Sequence, residues 1–190
     1  MSTETPNPPA PPPDFKMLWT RCALFIAVIG VLGSLHLSLG MDLKACPLCY
    51  YQRSFIMAVV AILTFAMFLP GMPTGAATVL ALAPAFAGTA IAVLHTYLAT
   101  SGALECPAGI SGTLYAPSES LIVFSLLMLC LLGDLFHQRR YVMQGIGAML
   151  LGFIFYTTCT RAVPKMDPPT TPYDSTKPLD TCRKPYQEKS

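Results

Sequence analysis

The chain reads as an all-α membrane protein: a four-helix transmembrane bundle with a fifth transmembrane helix added to it. Composition is the first reason. Of 190 residues, 53% are hydrophobic and only 12% charged, and the mean hydropathy is +0.53. A soluble domain carries about 25% charged residues, so the deficit points to a bilayer as solvent. The second reason is pattern: long apolar runs alternate with short turns, and roughly 20 apolar residues suffice to cross the hydrocarbon core. A net charge of +2 without a basic cluster excludes nucleic acid as a partner.

Residues 1–16 are Pro-rich (Pro6, Pro8, Pro9, Pro11, Pro12, Pro13) and poor in apolar side chains, which predicts a disordered cytoplasmic tail. The stretch does not read as a signal peptide. Its positive residues, Lys16 and Arg21, follow the Pro run, and no small-residue cleavage site follows a short apolar core.

The transmembrane domain is expected over 17–159. Met17 to about Leu39 forms the first span, and Lys16 and Arg21 at its start favour a cytoplasmic N-terminus. A short outer loop, Gly40 to Ala45, leads to a second span from about Pro47 to Leu69. The turn Pro70-Gly71-Met72-Pro73-Thr74-Gly75 ends it. The third span, about Ala76 to Thr100, carries Pro84, where a bend is expected.

Ser101 to Pro117 is a polar outer loop with Cys106, and Ser118 is the expected N-cap of a fourth span over about Glu119 to Phe136. His137-Gln138-Arg139-Arg140 is the strongest inside marker in the chain. A fifth span, about Tyr141 to Cys159, has Gly145, Gly147 and Gly152 for close packing on a neighbour. The tail over 160–190 is again Pro-rich and carries Cys182. An inside N-terminus and five crossings put that tail outside with Cys46, Cys49 and Cys106. Arg161 and Lys165 lie there against the charge rule, outweighed by Arg139 and Arg140.

The chemistry concentrates in Cys46-Pro47-Leu48-Cys49-Tyr50-Tyr51-Gln52-Arg53, at the start of the second span. A Cys-x-x-Cys pair closes an easily reduced disulfide, and a helix N-terminus stabilises a thiolate. Pro47 suits a first helical turn. Arg53 follows Cys49 by four residues, which places it on the same helix face.

With that arginine in place, the motif resembles the disulfide bond formation protein B family (DsbB and its BdbC-type relatives). The resemblance covers about Met17 to Phe136. It implies a membrane quinone reductase that regenerates a DsbA-like thioredoxin-fold oxidase, with ubiquinone or menaquinone as cofactor. The location it implies is a bacterial inner (cytoplasmic) membrane, with the C-terminus periplasmic or extracellular. Cys49 would be the thiolate beside the quinone, Arg53 would stabilise it and polarise a carbonyl, and His95 would lie near the same cofactor. Cys46 would exchange with a second, outer cysteine pair.

In the family that second pair lies within one outer loop, whereas Ser101 to Pro117 holds only Cys106. Cys182 is the proposed missing member. The 23 residues from Cys159 to Cys182 reach up to roughly 75–80 Å when extended. Pairing of Cys182 with Cys159, or an unpaired Cys106, is the alternative.

Blander readings stand beside these. Arg53 is also placed to snorkel to the interface, and His95 to be an ordinary satisfied polar group. His36 is similarly placed in the first span. Cys22 and Cys130 read as small buried hydrophobes. No metal is expected at the cysteine pair, since no second Cys-x-x-Cys and no His-rich run accompanies it. The rival functions are a soft-metal (copper or zinc) handling membrane protein and a vitamin K epoxide reductase-like enzyme, whose active pair is expected on a late helix instead.

Overall fold

The computed structural model describes residues 15–69, 71–164, 169, 171–174, 176–177 and 179–186, with side chains from Leu18 onward. The Pro-rich stretch expected over 1–16 lies outside these residues, apart from Phe15 and Lys16, which begin the first helix. Lys165 also lies outside them. Five long helices follow one another: α1 (Phe15–Leu39), α2 (Pro47–Phe68), α3 (Thr74–Thr100), α4 (Ala116–His137) and α5 (Val142–Ala162), with a 3-10 turn over Arg139–Tyr141 before α5. All five are long and apolar enough to cross a membrane. This is an all-helical membrane protein.

The bundle is organised around α3, which packs most extensively on α5, α2 and α4. Its sequence explains why. Gly75, Ala77, Ala81, Ala83, Ala85, Ala87, Gly88 and Ala92 are all buried along it. Within a bilayer no hydrophobic force drives helices together, so small residues that let backbones approach are what favour association. At Gly88 an added Cβ would come within 2.2 Å of the Phe124 ring of α4.

The fifth helix lies on α3, and its glycines divide. A Cβ at Gly152 would meet the Ala83 carbonyl oxygen at 2.5 Å and one at Gly145 would meet Leu135 at 2.5 Å, while Gly147 faces open space. Close packing therefore rests on two of the three expected glycines.

Helix α4 starts earlier than the expected Ser118 cap. Tyr115 occupies the cap position without a side-chain bond, and Pro117 falls in the first turn, where its missing N–H is no loss. Cys22 is exposed on α1 and so is not the buried hydrophobe expected, whereas Cys130 is half-buried on α4 and packs against the core.

At the end of the bundle away from the Cys-x-x-Cys pair, Asp134 is buried. Thr78 donates to its carboxylate, and Gln138 Nε2 donates to both oxygens at 2.9 and 3.0 Å. Gln138 Nε2 also donates to Thr74 Oγ1 at 3.1 Å. These bonds supply the partners a buried carboxylate requires and fix the start of α3 against the end of α4.

Candidate active site

Cys46 is the N-cap of α2, with extended backbone (φ −68°, ψ 162°) and Pro47 following in the first turn. Its sulfur accepts the Cys49 backbone N–H at 3.3 Å, the role a Ser or Asp side chain usually fills at this position. The Cys46 and Cys49 sulfurs are 3.2 Å apart and unbonded. The Cys46 thiol is pulled down to about 4. The hydrogen bond with the Cys49 thiol is the largest cause, His95 adds to it, and burial opposes it.

The second pair comes from distant parts of the chain. Cys106 of the α3–α4 loop and Cys182 of the C-terminal tail form a disulfide, and Cys159 stays free while packing against this cluster. The tail is seated by an antiparallel bridge. Glu105 N donates to Arg183 O at 2.8 Å, and Arg183 N donates to Glu105 O at 3.0 Å. Arg183 Nε donates to Glu105 Oε2 at 3.0 Å, and its guanidinium stacks 3.4 Å above the Tyr173 ring. On the other side Lys44 binds Asp180 through backbone (2.7 Å) and side chain (2.9 Å).

His95, fully buried on α3, lies between the two pairs. Its Nε2 is 3.3 Å from Cys182 Sγ, 3.6 Å from Cys106 Sγ and 3.7 Å from Cys46 Sγ, and its Nδ1 is 3.9 Å from Cys49 Sγ. One donor atom each from Cys46, Cys49, His95 and Cys182 gathers within 4.8 Å.

Next to the sulfurs, a cavity of about 200 Å³ opens between α1, α2 and α4, with Cys49, Gln52, Arg53 and Cys182 in its wall. Most of the remaining wall is apolar, including Ile29, Leu37, Ile56, Val123 and Phe124. His95 does not line this cavity; its ring faces the sulfurs. Arg53 does line it, but is held from α1. Its Nε donates to Ser34 Oγ at 2.8 Å, and its Nη2 donates to the Ser34 carbonyl at 2.9 Å and to Ser38 Oγ at 2.5 Å. Gln52 Oε1 accepts from Ser120 Oγ at 2.8 Å, whereas Gln52 Nε2 is buried and has no hydrogen-bond partner among the described residues.

The family model described as "Disulfide bond formation protein DsbB" matches residues 16–120, more than half of the chain. This chain belongs to the DsbB family. Among its relatives is "Disulfide bond formation protein B 2" of Burkholderia lata, 34% identical over 89 residues. That match covers 46% of this chain and 52% of the relative, so the chain spans about half the length of the relative it matches. No solved structure matches the chain. In this DsbB-family protein the matched region contains Cys46, Cys49, Arg53, His95 and Cys106 but ends before Cys182, which only the fold brings into the centre.

Sequence reasoning missed Ser34, Ser38, Gln52 and Ser120 as parts of this site. Their signal was available: Ser34 and Ser38 are polar residues one turn apart within an apolar span, and such residues in membrane helices commonly face a partner or a cavity.

Proposed function

We propose that this protein is a membrane thiol:quinone oxidoreductase that reoxidises a periplasmic or extracellular DsbA-like thioredoxin-fold dithiol oxidase and so supports disulfide bond formation. The observation that carries this reading is the meeting of two cysteine pairs around His95, with Cys49 shared between that cluster and a largely apolar cavity. The fold is placed in a bacterial inner membrane with its N-terminus cytoplasmic and its cysteines outside. The Arg139-Arg140 turn supports this orientation, because it lies at the opposite end of the bundle from the cysteines.

Each exchange conserves bonds and electrons. A thiolate of the partner's dithiol attacks the Cys106–Cys182 disulfide and forms a mixed disulfide; the partner's second thiol resolves it. The partner leaves oxidised, and Cys106 and Cys182 are left as thiols. One of these then attacks the Cys46–Cys49 disulfide. Resolution restores Cys106–Cys182 and passes the two electrons to Cys46 and Cys49. This internal exchange would leave Cys106–Cys182 closed and Cys46 and Cys49 open.

His95 touches every sulfur involved and is suited to hold the proton that one thiol loses and another gains. In the open pair Cys46 accepts the Cys49 backbone N–H and is the thiol shifted toward its thiolate form. Once Cys46 enters a disulfide, Cys49 becomes the free thiol facing the cavity and Arg53, the role the family resemblance gives it.

The cavity fits a quinone. Its wall is mostly apolar, and the unpartnered Gln52 Nε2 supplies a donor that a ring carbonyl would satisfy. Arg53 would lie at the same wall, pre-oriented by Ser34 and Ser38. When bound, a quinone supplies a two-electron, two-proton acceptor. The test is quinone reduction by the purified protein in detergent, driven by a reduced thioredoxin-like substrate, with ubiquinone and menaquinone both tried. Turnover in the wild type and none in Cys49→Ser supports the reading; none in either overturns it.

A further inference from the structure

We propose that the fully reduced centre is a binding site for a zinc-class metal ion, held by Cys46, Cys49, Cys182 and His95, and that the Cys106–Cys182 disulfide keeps the ion out. The donor set is that of a closed structural zinc site, three thiolates and one imidazole. Zinc–sulfur and zinc–nitrogen bonds of about 2.3 and 2.0–2.1 Å in a tetrahedron put neighbouring ligand atoms roughly 3.5–3.8 Å apart. Here Cys46 and Cys49 Sγ are 3.2 Å apart, Cys46 Sγ and His95 Nε2 3.7 Å, and Cys182 Sγ and His95 Nε2 3.3 Å, with all four donors inside 4.8 Å. Little rearrangement separates this cluster from a four-coordinate shell. Cys49 and Cys182 also line the cavity, which gives an ion a way in.

The gate is covalent. While Cys182 is bonded to Cys106 its sulfur is not a thiolate, and the set falls to three donors. Two electrons and two protons, delivered by a dithiol, open that disulfide. Metal binding then displaces the remaining thiol protons of Cys46, Cys49 and Cys182 as these become ligands. A metal-capped centre has no free thiolate for exchange, so turnover stops until the ion is removed or the disulfide closes again. The metal is thus a brake that engages when reduced partner arrives faster than electrons leave. This regulatory consequence rests on the proposed function, whereas binding by chemically reduced protein does not.

The test is a Co(II) titration of the full chain in detergent after phosphine reduction, followed by the visible absorption of tetrahedral cobalt–thiolate and by displacement with Zn(II). Neither quinone nor partner is present, so the result is independent of the oxidoreductase reading. About one ion per reduced chain is expected, bound about tenfold or more weakly in Cys182→Ser and in His95→Ala but retained in Cys106→Ser. Unchanged affinity in Cys182→Ser would leave the Cys-x-x-Cys pair alone as the binder and overturn the proposal, as would loss of binding in Cys106→Ser. Because buried His95 contributes to packing, Cys182→Ser, a change in the tail, decides the matter if His95→Ala does not fold.

Discussion

His95 Nε2 lies 3.3 Å from Cys182 Sγ, although 87 residues separate the two in the chain. A histidine in the last third of an apolar helix and a cysteine in a Pro-rich tail thus share one buried centre, and the same imidazole touches the Cys46–Cys49 pair. Under the proposed function, a buried acid–base group at such a place would serve proton transfer during thiol–disulfide exchange.

The first prediction follows from that contact. His95→Ala should slow electron transfer between the two cysteine pairs by about 10², the lower end of the range for a positioned acid–base group. Quinone affinity should hold, because His95 is not part of the cavity wall. Single-turnover trapping of the cysteine redox states, beside a direct quinone-binding measurement, separates the two effects. Lost quinone binding with intact exchange would return His95 to the cofactor.

Arg53 offers a test of geometry rather than charge. Its planar fork makes separate bonds through Nε and Nη2 to α1, which a lysine ammonium cannot reproduce. Arg53→Lys should therefore lower quinone-dependent turnover about tenfold while partner oxidation by the preformed Cys106–Cys182 disulfide proceeds normally. A fully active lysine variant would show that only the positive charge is needed.

How much of this centre was legible in the sequence differs from residue to residue. The five spans were, because an apolar run long enough to cross a bilayer has few other uses. So was the placing of Cys46 and Cys49 at a helix start, since Pro47 and the preceding loop mark it locally. The place of His95 was not: its depth follows from position in the chain, but the neighbours it faces depend on how α3 is rotated against α2. The same holds for Ser34 and Ser38, whose partner sits on another helix, and for Gly147, whose spacing resembles that of Gly145 and Gly152 although it faces away. For Cys182, chain length established reach, while the choice between Cys106 and Cys159 was made by the Glu105–Arg183 bridge, a contact with no local signature.

Gln52 should behave as a ligand-binding residue and not as a structural one. A buried donor without a partner costs about 1–3 kcal/mol, so removing it need not destabilise the protein. Gln52→Leu is expected to keep or raise the thermal midpoint of the quinone-free protein while raising the KM for quinone about tenfold. A drop in stability with unchanged KM would give Gln52 a packing role through Ser120.

The depressed Cys46 thiol gives a pH dependence with a definite sign. An acidic group whose folded pKa lies below its unfolded value stabilises the fold above the unfolded value, here the ordinary 9.0, and loses that contribution as pH falls toward about 4. The reduced protein should therefore keep its ultraviolet thiolate absorbance from neutral pH down to about pH 5 and lose it near pH 4. Cys49→Ala removes the largest cause of the shift, so the same absorbance should disappear at a higher pH. A titration midpoint near 9 in the reduced wild type would contradict the assignment.

The last prediction concerns the tail. Cys106–Cys182 is held in register by two backbone bonds and an ion pair between Glu105 and Arg183, the latter partly shielded under Tyr173. Lys44 and Asp180 add a second anchor, but their side chains are exposed, and an exposed pair contributes little. Peptide mapping without reduction should recover a Cys106–Cys182 link, and Cys159→Ser should leave it intact because Cys159 only packs against the cluster. Arg183→Ala should slow re-formation of that link after reduction, and Asp180→Ala should slow it less. Recovery of Cys182 joined only to Cys159 would remove the second pair from the centre, and with it the proposed path by which electrons from a partner would reach Cys46 and Cys49.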